Sequence, residues 1–264
     1  KLGLHYKIGD GVEKNVETAV NWLKKAANCD HLDAMFVLGA CYDKGEYIER
    51  DVNMAIHWYQ KAADCGKAGA MYKLGLHYMN GDGVEKNAVI AVKYLQNAAN
   101  FSYPDAMCIL GVCYDKGECV ERNVNMAIHW YKKAVDCGQV DAMFLLGLCY
   151  ESGNGIDKDI DKAIYCWKQA SDLGQADAMS NLGECYAIGL GVNKNMSGAV
   201  KLWSRSAYLG HVNAMLKLGQ CYMEGKGVEK NIEKAVELYR QAASAGNSHA
   251  EIKLKELGRE ESTI

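Results

Sequence analysis

A Leu-Gly pair recurs at a constant interval along the chain, and this interval restricts the fold more than any other feature. The pair first stands at Leu2-Gly3 and returns every 36 residues up to Leu218-Gly219, without an insertion or deletion. Leu254 falls on the next interval, with Lys255 in place of the glycine. A repeat of this length cannot bury its apolar face alone, so neighbouring repeats must stack.

Each repeat contains a first amphipathic helix, which we call helix A. Alanine stands four residues before the repeated leucine, methionine usually follows that alanine, and tyrosine stands four residues after the leucine. These spacings place the four side chains on one stripe of a helix. A glycine such as Gly81 follows, and it predicts a left-handed helix end.

A second helix, helix B, begins after a short loop. Asn or Asp stands at its start in every repeat, at positions 15, 51, 87, 123, 159, 195 and 231, where its side chain is expected to accept a backbone N–H. A repeated alanine and then a large ring follow, and the rings are expected to fill the space between layers. These rings are Trp22, Trp58, Tyr94, Trp130, Trp167, Trp203 and Tyr239.

The repeat resembles the Sel-one-like repeat family, a relative of the tetratricopeptide repeats, in the pattern A-M-x-x-L-G-x-x-Y-x-x-G-x-G-V-x-x-N-x-x-x-A-[VI]-x-W-[YL]-x-K-A-A. The resemblance covers essentially the whole chain. It implies an all-α fold, a right-handed α/α superhelical solenoid with helix A on the concave side. It also implies an adaptor that assembles protein complexes and shares no catalytic residues, hence no enzyme.

A cysteine-rich branch of that family joins a late helix B position to an early helix A position by a disulfide. In this chain the corresponding positions hold residues such as Ala63 and Met71, so this disulfide cannot form. The hydrolase-type activity attached to that branch is therefore the weakest of the alternatives for this chain.

The repeat frame predicts a single solenoid over residues 1–264. A partial repeat occupies 1–30, and a C-terminal capping helix with a tail occupies 247–264. The repeats between them occupy 31–66, 67–102, 103–138, 139–174, 175–210 and 211–246. Because the chain enters partway through a repeat, the natural protein is expected to extend further towards its N-terminus.

One face of helix A is more apolar than the repeat demands. Positions two before and two after the leucine point away from the core stripe and would be polar if they faced only water. An apolar groove for a peptide or helix of a partner protein is one interpretation, and burial against the next helix A is the other. The candidate partner-binding residues are Phe36, Ala40, Tyr72, Leu76, Met79, Cys108, Val112, Phe144, Leu148 and Leu216.

Charge and hydropathy exclude other classes of partner. A net charge of -3 does not attract the negatively charged backbone of nucleic acid. No apolar run approaches the roughly 18 residues that a membrane-spanning helix needs. We therefore expect a protein partner, with no nucleic acid and no membrane insertion. Self-association through the solenoid ends, or a role as a structural spacer, remains an alternative.

No metal site, cofactor or catalytic constellation is expected. One helix A position holds His5, Cys41 and His77 in the first three repeats. These side chains cannot bind one zinc ion together, because stacked helices lie about 8–10 Å apart, whereas zinc ligands lie about 2 Å from the ion. Asp33, Asp105, Asp141 and Asp177 begin helix A, where they either stabilise the helix dipole or form an acidic ladder for a partner.

The eleven cysteines include no C-x-x-C pair, and most recur at packing positions. They predict a reducing, cytoplasmic compartment, which would be the host cytosol if the source is an intracellular pathogen or a virus. Free thiols are the favoured state, and disulfides are the alternative for two pairs in an oxidising setting. Those pairs are Cys29 with Cys41 and Cys137 with Cys149.

Overall fold

The structure is a computed structural model that describes residues 16–261, with side chains up to residue 258. Within this range the chain forms fourteen α-helices and no β-strand. In chain order they are α1 (Val16–Asn28), α2 (Leu32–Lys44), α3 (Val52–Asp64), α4 (Ala68–Asn80), α5 (Ala88–Asn100), α6 (Pro104–Lys116), α7 (Val124–Asp136), α8 (Val140–Ser152), α9 (Ile160–Asp172), α10 (Ala176–Ile188), α11 (Met196–Tyr208), α12 (Val212–Glu224), α13 (Ile232–Ser244) and α14 (Ser248–Glu261).

The helices divide between two compact units, Lys1–Gln139 and Val140–Ile264. In the first unit α2 packs on α3, α4 on α5 and α6 on α7, and each of these helices A also packs on the helix B before it. The second unit repeats this arrangement from α8 to α14. The predicted all-α solenoid of consecutive helix pairs is confirmed. Within the range from α1 to α14, no helix is both long and apolar enough to span a bilayer.

The repeated Leu-Gly pair brings helix A against helix B. Leu38, Leu74 and Leu110 are completely buried. The glycine lets a large side chain of helix B lie directly on the backbone of helix A. A Cβ at Gly147, for instance, would lie 2.4 Å from Nε1 of Trp167, closer than any real Cβ contact.

The predicted helix ends are confirmed wherever the structure describes them. Oδ1 of Asp51 accepts the backbone N–H of Met54 at 3.0 Å, and the same bond starts every later helix B. Gly45 ends α2 with φ +70°, and its N–H donates to the carbonyl of Cys41. The equivalent Gly9 and Asn15 lie outside the described residues.

The rings of helix B occupy two neighbouring positions. In the 36-residue frame, Trp167 and Trp203 fall one position later than Trp58 and Trp130. The later position lies against the helix A backbone, where Nε1 of Trp203 donates to the carbonyl of Ser180 at 3.1 Å. At the earlier position, Nε1 of Trp58 and of Trp130 is buried without a hydrogen-bond partner. The aromatic series read from the sequence therefore combines two different environments.

Candidate functional site

The candidate partner-binding residues belong to two surfaces, one in each unit. The α2–α4–α6 face holds Phe36, Ala40, Tyr72, Leu76, Met79, Cys108 and Val112, and the α8–α10–α12 face holds Phe144, Leu148 and Leu216. All of them are half-buried except Cys108, of which only 4% is exposed. Cys108 therefore offers a ligand almost no surface.

Aromatic side chains cover part of the α2–α4–α6 face. The ring of Phe36 lies 5.9 Å from that of Tyr59 and leans on α4 at Gly69, where an added Cβ would meet it at 3.3 Å. The rings of Tyr72 and Tyr103 lie 5.2 Å apart. Packing on the next helix A thus accounts for part of the apolar character of this face, and part of Phe36 and of Tyr72 stays exposed.

The hydroxyl of Tyr72 stays neutral over the physiological range. Burial raises the pKa of Tyr72 to about 12, and the nearby carboxylate of Asp105 adds to this shift. The same two causes raise the pKa of Tyr103. Both rings consequently present an uncharged O–H group, which can donate or accept a hydrogen bond at the edge of an apolar surface.

The α8–α10–α12 face contains an open cavity of about 410 Å³. Phe144, Ser180 and Leu216 share one repeat position on three successive helices A, and the small serine separates the two apolar side chains. The remaining lining is polar and consists of Asp177, Asn181, Glu184, His211, Asn213 and Lys217. Phe144 and Leu216 were predicted from the sequence as partner-binding residues, and Asp177 as one step of a possible acidic ladder, whereas the rest of the polar wall was not predicted.

Two side-chain pairs engage the ionisable groups of that wall. Nζ of Lys217 forms an ion pair with Glu184, and Nε2 of His211 lies 3.1 Å from Oδ1 of Asp177. His211 also caps α12, because its Nδ1 accepts the backbone N–H of Ala214 at 3.1 Å. The cavity therefore combines apolar surface with polar groups that already pair with one another.

Three of the four aspartates at the start of helix A, Asp33, Asp105 and Asp177, link neighbouring repeats. Asp33 accepts a hydrogen bond from Lys67 at 2.5 Å, and Asp105 accepts one from Gln139 at 3.4 Å. The His211–Asp177 contact has the same separation of 34 residues. The hydrogen bond from Lys67 holds the pKa of Asp33 below its usual value. The helix-dipole and acidic-ladder interpretations of these aspartates did not include links between repeats. The sequence does place a residue that can donate a hydrogen bond 34 positions after each aspartate.

One group of side chains within the described residues could hold a metal ion. Ligand atoms of Asp43, His77 and Asp82 lie within 4.8 Å of one another. Nδ1 of His77 lies 2.9 Å from the carbonyl oxygen of Asp82, and Asp43 accepts a hydrogen bond from the hydroxyl of Tyr59 at 3.2 Å. Arg50 also donates to the Asp82 carboxylate at 3.0 Å, so a cation would share or compete for that ligand with the guanidinium.

The cysteines proposed as alternative disulfide partners lie in different environments. Cys29 and Cys137 are exposed free thiols at the ends of α1 and α7, as is Cys65 at the end of α3. Cys41 and Cys149 are buried on helices A. No disulfide joins either pair in this structure.

The Sel1 repeat family matches seven consecutive segments of the chain, at residues 1–31, 32–67, 68–100, 104–139, 140–175, 176–211 and 212–247. Together they cover most of the sequence. The chain is a Sel1-repeat protein. This membership confirms the resemblance found in the sequence, and Sel1-repeat proteins are in general scaffolds for protein interaction.

Solved structures of Sel1-like proteins show the same fold. A protective antigen of uropathogenic Escherichia coli with an SLR fold is 31% identical, with a TM-score of 0.84 over 97% of this chain and 55% of that one. A Sel1 repeat protein from Oxalobacter formigenes is 32% identical, with a TM-score of 0.82 over 97% of this chain and 74% of that one. This Sel1-repeat chain thus spans about half the length of the Escherichia coli protein.

A more distant structure shares the fold alone. The immunity protein Pa5087 of Pseudomonas aeruginosa is 21% identical, with a TM-score of 0.53 over 81% of each chain. No curated protein shows significant sequence similarity to this Sel1-repeat chain.

Proposed function

We propose that this Sel1-repeat chain is an adaptor whose α8–α10–α12 face holds an extended segment of a partner protein. The supporting observation is the cavity of about 410 Å³ between Phe144 and Leu216. Because Ser180 is small, the cavity has room for one apolar side chain of the partner. An anchor side chain that fills such a pocket usually contributes most of the binding energy at an interface.

The polar wall of the cavity suits a peptide backbone. The side-chain amides of Asn181 and Asn213 line it, and an amide both donates and accepts hydrogen bonds, as a peptide group does. The ionisable groups are already occupied in the Lys217–Glu184 and His211–Asp177 pairs. We therefore assign binding rather than catalysis to this face, and expect an apolar anchor rather than a charged one.

The α2–α4–α6 face is proposed as a second contact surface. The half-buried side chains of Phe36, Tyr72, Leu76 and Met79 supply aromatic and flexible apolar groups, which adapt well to different partner segments. The neutral hydroxyl of Tyr72 adds a polar group beside them.

We also infer a reducing compartment, such as the cytoplasm, for this adaptor. Cys185 and Cys221 fill buried packing positions on helices A, and burial raises the pKa of both thiols. Protonated, buried thiols of this kind serve packing and need no oxidation. Thiol titration of protein purified without a reductant should therefore find these cysteines reduced.

Peptide selection followed by calorimetry tests the proposed binding face. Peptides are first selected from a displayed random library on the wild-type chain, and their affinities are then measured for variants. Leu216→Glu and Asn181→Ala should weaken binding at least about tenfold, because they remove the apolar wall and the backbone contact.

The matched control is Tyr165→Glu on α9, which introduces the same charge in the same unit at a side chain that is 65% exposed. It should leave peptide affinity unchanged. Equal weakening by Tyr165→Glu and Leu216→Glu, or no weakening by either, would overturn the assignment of this face.

A further inference from the structure

His77 stands at a helix A position where five of the other repeats hold cysteine. Its imidazole is buried on α4, with 5% of the side chain exposed. Nδ1 of His77 lies 2.9 Å from the backbone carbonyl oxygen of Asp82. Because a carbonyl oxygen can only accept, Nδ1 carries the proton and donates to it. The other ring nitrogen, Nε2, therefore keeps its lone pair for a ligand.

Nε2 of His77 lies beside the carboxylate of Asp43 on α2. Oδ1 of Asp43 is 3.6 Å from Nε2, which is too long for a hydrogen bond. Two ligands of one tetrahedral zinc ion lie about 3.3–3.6 Å apart, as bonds of about 2.0–2.2 Å require. The other oxygen of Asp43, Oδ2, accepts the hydroxyl of Tyr59 at 3.2 Å and so helps to fix the orientation of the carboxylate.

The loop after α4 brings a third ligand to the same place. The backbone N–H of Asp82 donates to the carbonyl of His77 at 3.2 Å, and ligand atoms of Asp43, His77 and Asp82 all lie within 4.8 Å of one another. The Asp82 side chain is 44% exposed, so it can rotate towards the other two. A carboxylate has about four acceptor positions, and Asp82 can therefore bind a cation while Arg50 keeps a hydrogen bond to it.

The three side chains line an open cavity of about 180 Å³ together with Lys73, Leu76 and Asn80. Nζ of Lys73 lies 3.8 Å from Oδ2 of Asp43, which leaves Oδ1 on the side of His77. A water molecule occupies about 30 Å³ in the liquid. The cavity is thus large enough for an ion and for a water molecule bound to it.

The repeat does not require this combination of one imidazole and two carboxylates. At the corresponding positions of the later repeats, cysteine replaces the histidine, and at least one of the acidic residues is replaced by a residue without a carboxylate. These sets are Met79, Cys113 and Glu118; Asp115, Cys149 and Asn154; Glu151, Cys185 and Leu190; and Ala187, Cys221 and Lys226. The expectation of no metal site followed a single helix A position, whereas these ligands come from three positions in two repeats.

We propose that Asp43, His77 and Asp82 bind one zinc ion through Oδ1 of Asp43, Nε2 of His77 and a carboxylate oxygen of Asp82, with water as the fourth ligand. The imidazole favours zinc over magnesium and calcium, which prefer oxygen ligands. The bond from Nδ1 of His77 to a backbone carbonyl is the contact that usually orients a zinc-binding histidine. The ion joins α2 to α4 and the loop after it, and so links two consecutive repeats of the first unit.

NMR spectroscopy of the histidine rings during a zinc titration tests this site. The whole reduced chain is labelled with ¹⁵N-histidine, and free zinc is set by a chelator buffer. Long-range ¹H–¹⁵N spectra distinguish the two ring nitrogens, and His77→Gln identifies the His77 signals by their loss. Zinc should shift Nε2 of His77 and leave Nδ1 protonated, whereas magnesium chloride at the same free concentration should shift neither.

Matched variants separate the site from zinc binding elsewhere on the chain. Asp82→Asn keeps the size of a loop side chain, and it should weaken zinc binding at His77 at least about tenfold, since even the loss of a contact outside the ligand set costs that much. His57→Gln on α3 alters an exposed histidine and should leave the affinity unchanged. The proposal is overturned if zinc does not shift Nε2 of His77, or if Asp82→Asn binds zinc there as tightly as wild type.

Discussion

At the scale of single residues, the close approach of the two helices in a repeat depends on the glycine of the Leu-Gly pair. At Gly147 an added Cβ would lie 2.4 Å from Nε1 and 2.6 Å from Cδ1 of Trp167. This indole is fully buried and packed, so it has little freedom to move away. The glycine is therefore required by contact between helices and not by its backbone angles.

Gly147→Ala should lower the free energy of unfolding by about 1–3 kcal/mol, the usual cost of overpacking a core. The measurement is equilibrium unfolding in urea. The control is Gly258→Ala on α14, where no heavy atom lies within 4 Å of an added Cβ and alanine should stabilise the helix. Equal stability of the Gly147→Ala variant and wild type would show that α8 and α9 do not pack as described.

At the scale of helices, the side-chain caps of helix B fix where each second helix begins. Oδ1 of Asp159 accepts the backbone N–H of Lys162 at 3.0 Å, and Nζ of Lys162 lies 3.0 Å from the same carboxylate. The backbone hydrogen bond is the main reason that the pKa of Asp159 lies below its usual value, and the bond from Lys162 Nζ adds to it.

This cap should make stability depend on pH. Because the folded pKa of Asp159 lies below its unfolded value of about 4, the carboxylate stabilises the fold above that pH. The contribution is lost as the pH falls through the folded pKa. Asp159→Asn keeps an acceptor but cannot titrate, so its urea midpoint should lie below that of wild type at pH 7 and approach it in acid. A difference that stays constant with pH would contradict this role.

The helices and their ends could be predicted from the sequence because each depends on local contacts. Asn or Asp at the start of helix B and Gly45 at the end of α2 act on backbone groups only a few residues away. Contacts between side chains of different repeats could not be predicted from the sequence in the same way. The Asp33–Lys67 bond, for example, joins neighbouring repeats. Asn181 in the polar wall was not predicted either, because the predicted groove rested on apolar residues.

At the scale of the whole molecule, stability is built from contacts between consecutive helices. Among α1 to α14, every helix pair with extensive contact consists of neighbours in the chain, such as α11 with α12 and α12 with α13. In repeat proteins of this kind, the stability of a segment depends on its own repeat and on the adjoining ones. Damage to one repeat should therefore remain local.

Leu218→Ala on α12 removes a buried side chain and should cost about 2–5 kcal/mol locally. Hydrogen exchange followed by mass spectrometry should show faster exchange in α11, α12 and α13 and unchanged exchange in α2–α5. A uniform increase along the whole chain would contradict the local character of its stability.

Photo-cross-linking to a library-selected peptide is the sharpest test of the proposal that the α8–α10–α12 face holds a partner segment. Leu216 is replaced by benzoylphenylalanine in one sample and Tyr165 in another, and both are irradiated with the peptide bound. We expect a covalent adduct from position 216, attached near the apolar anchor of the peptide, and none from position 165. An adduct from position 165 alone, or equal adducts from both, would contradict it.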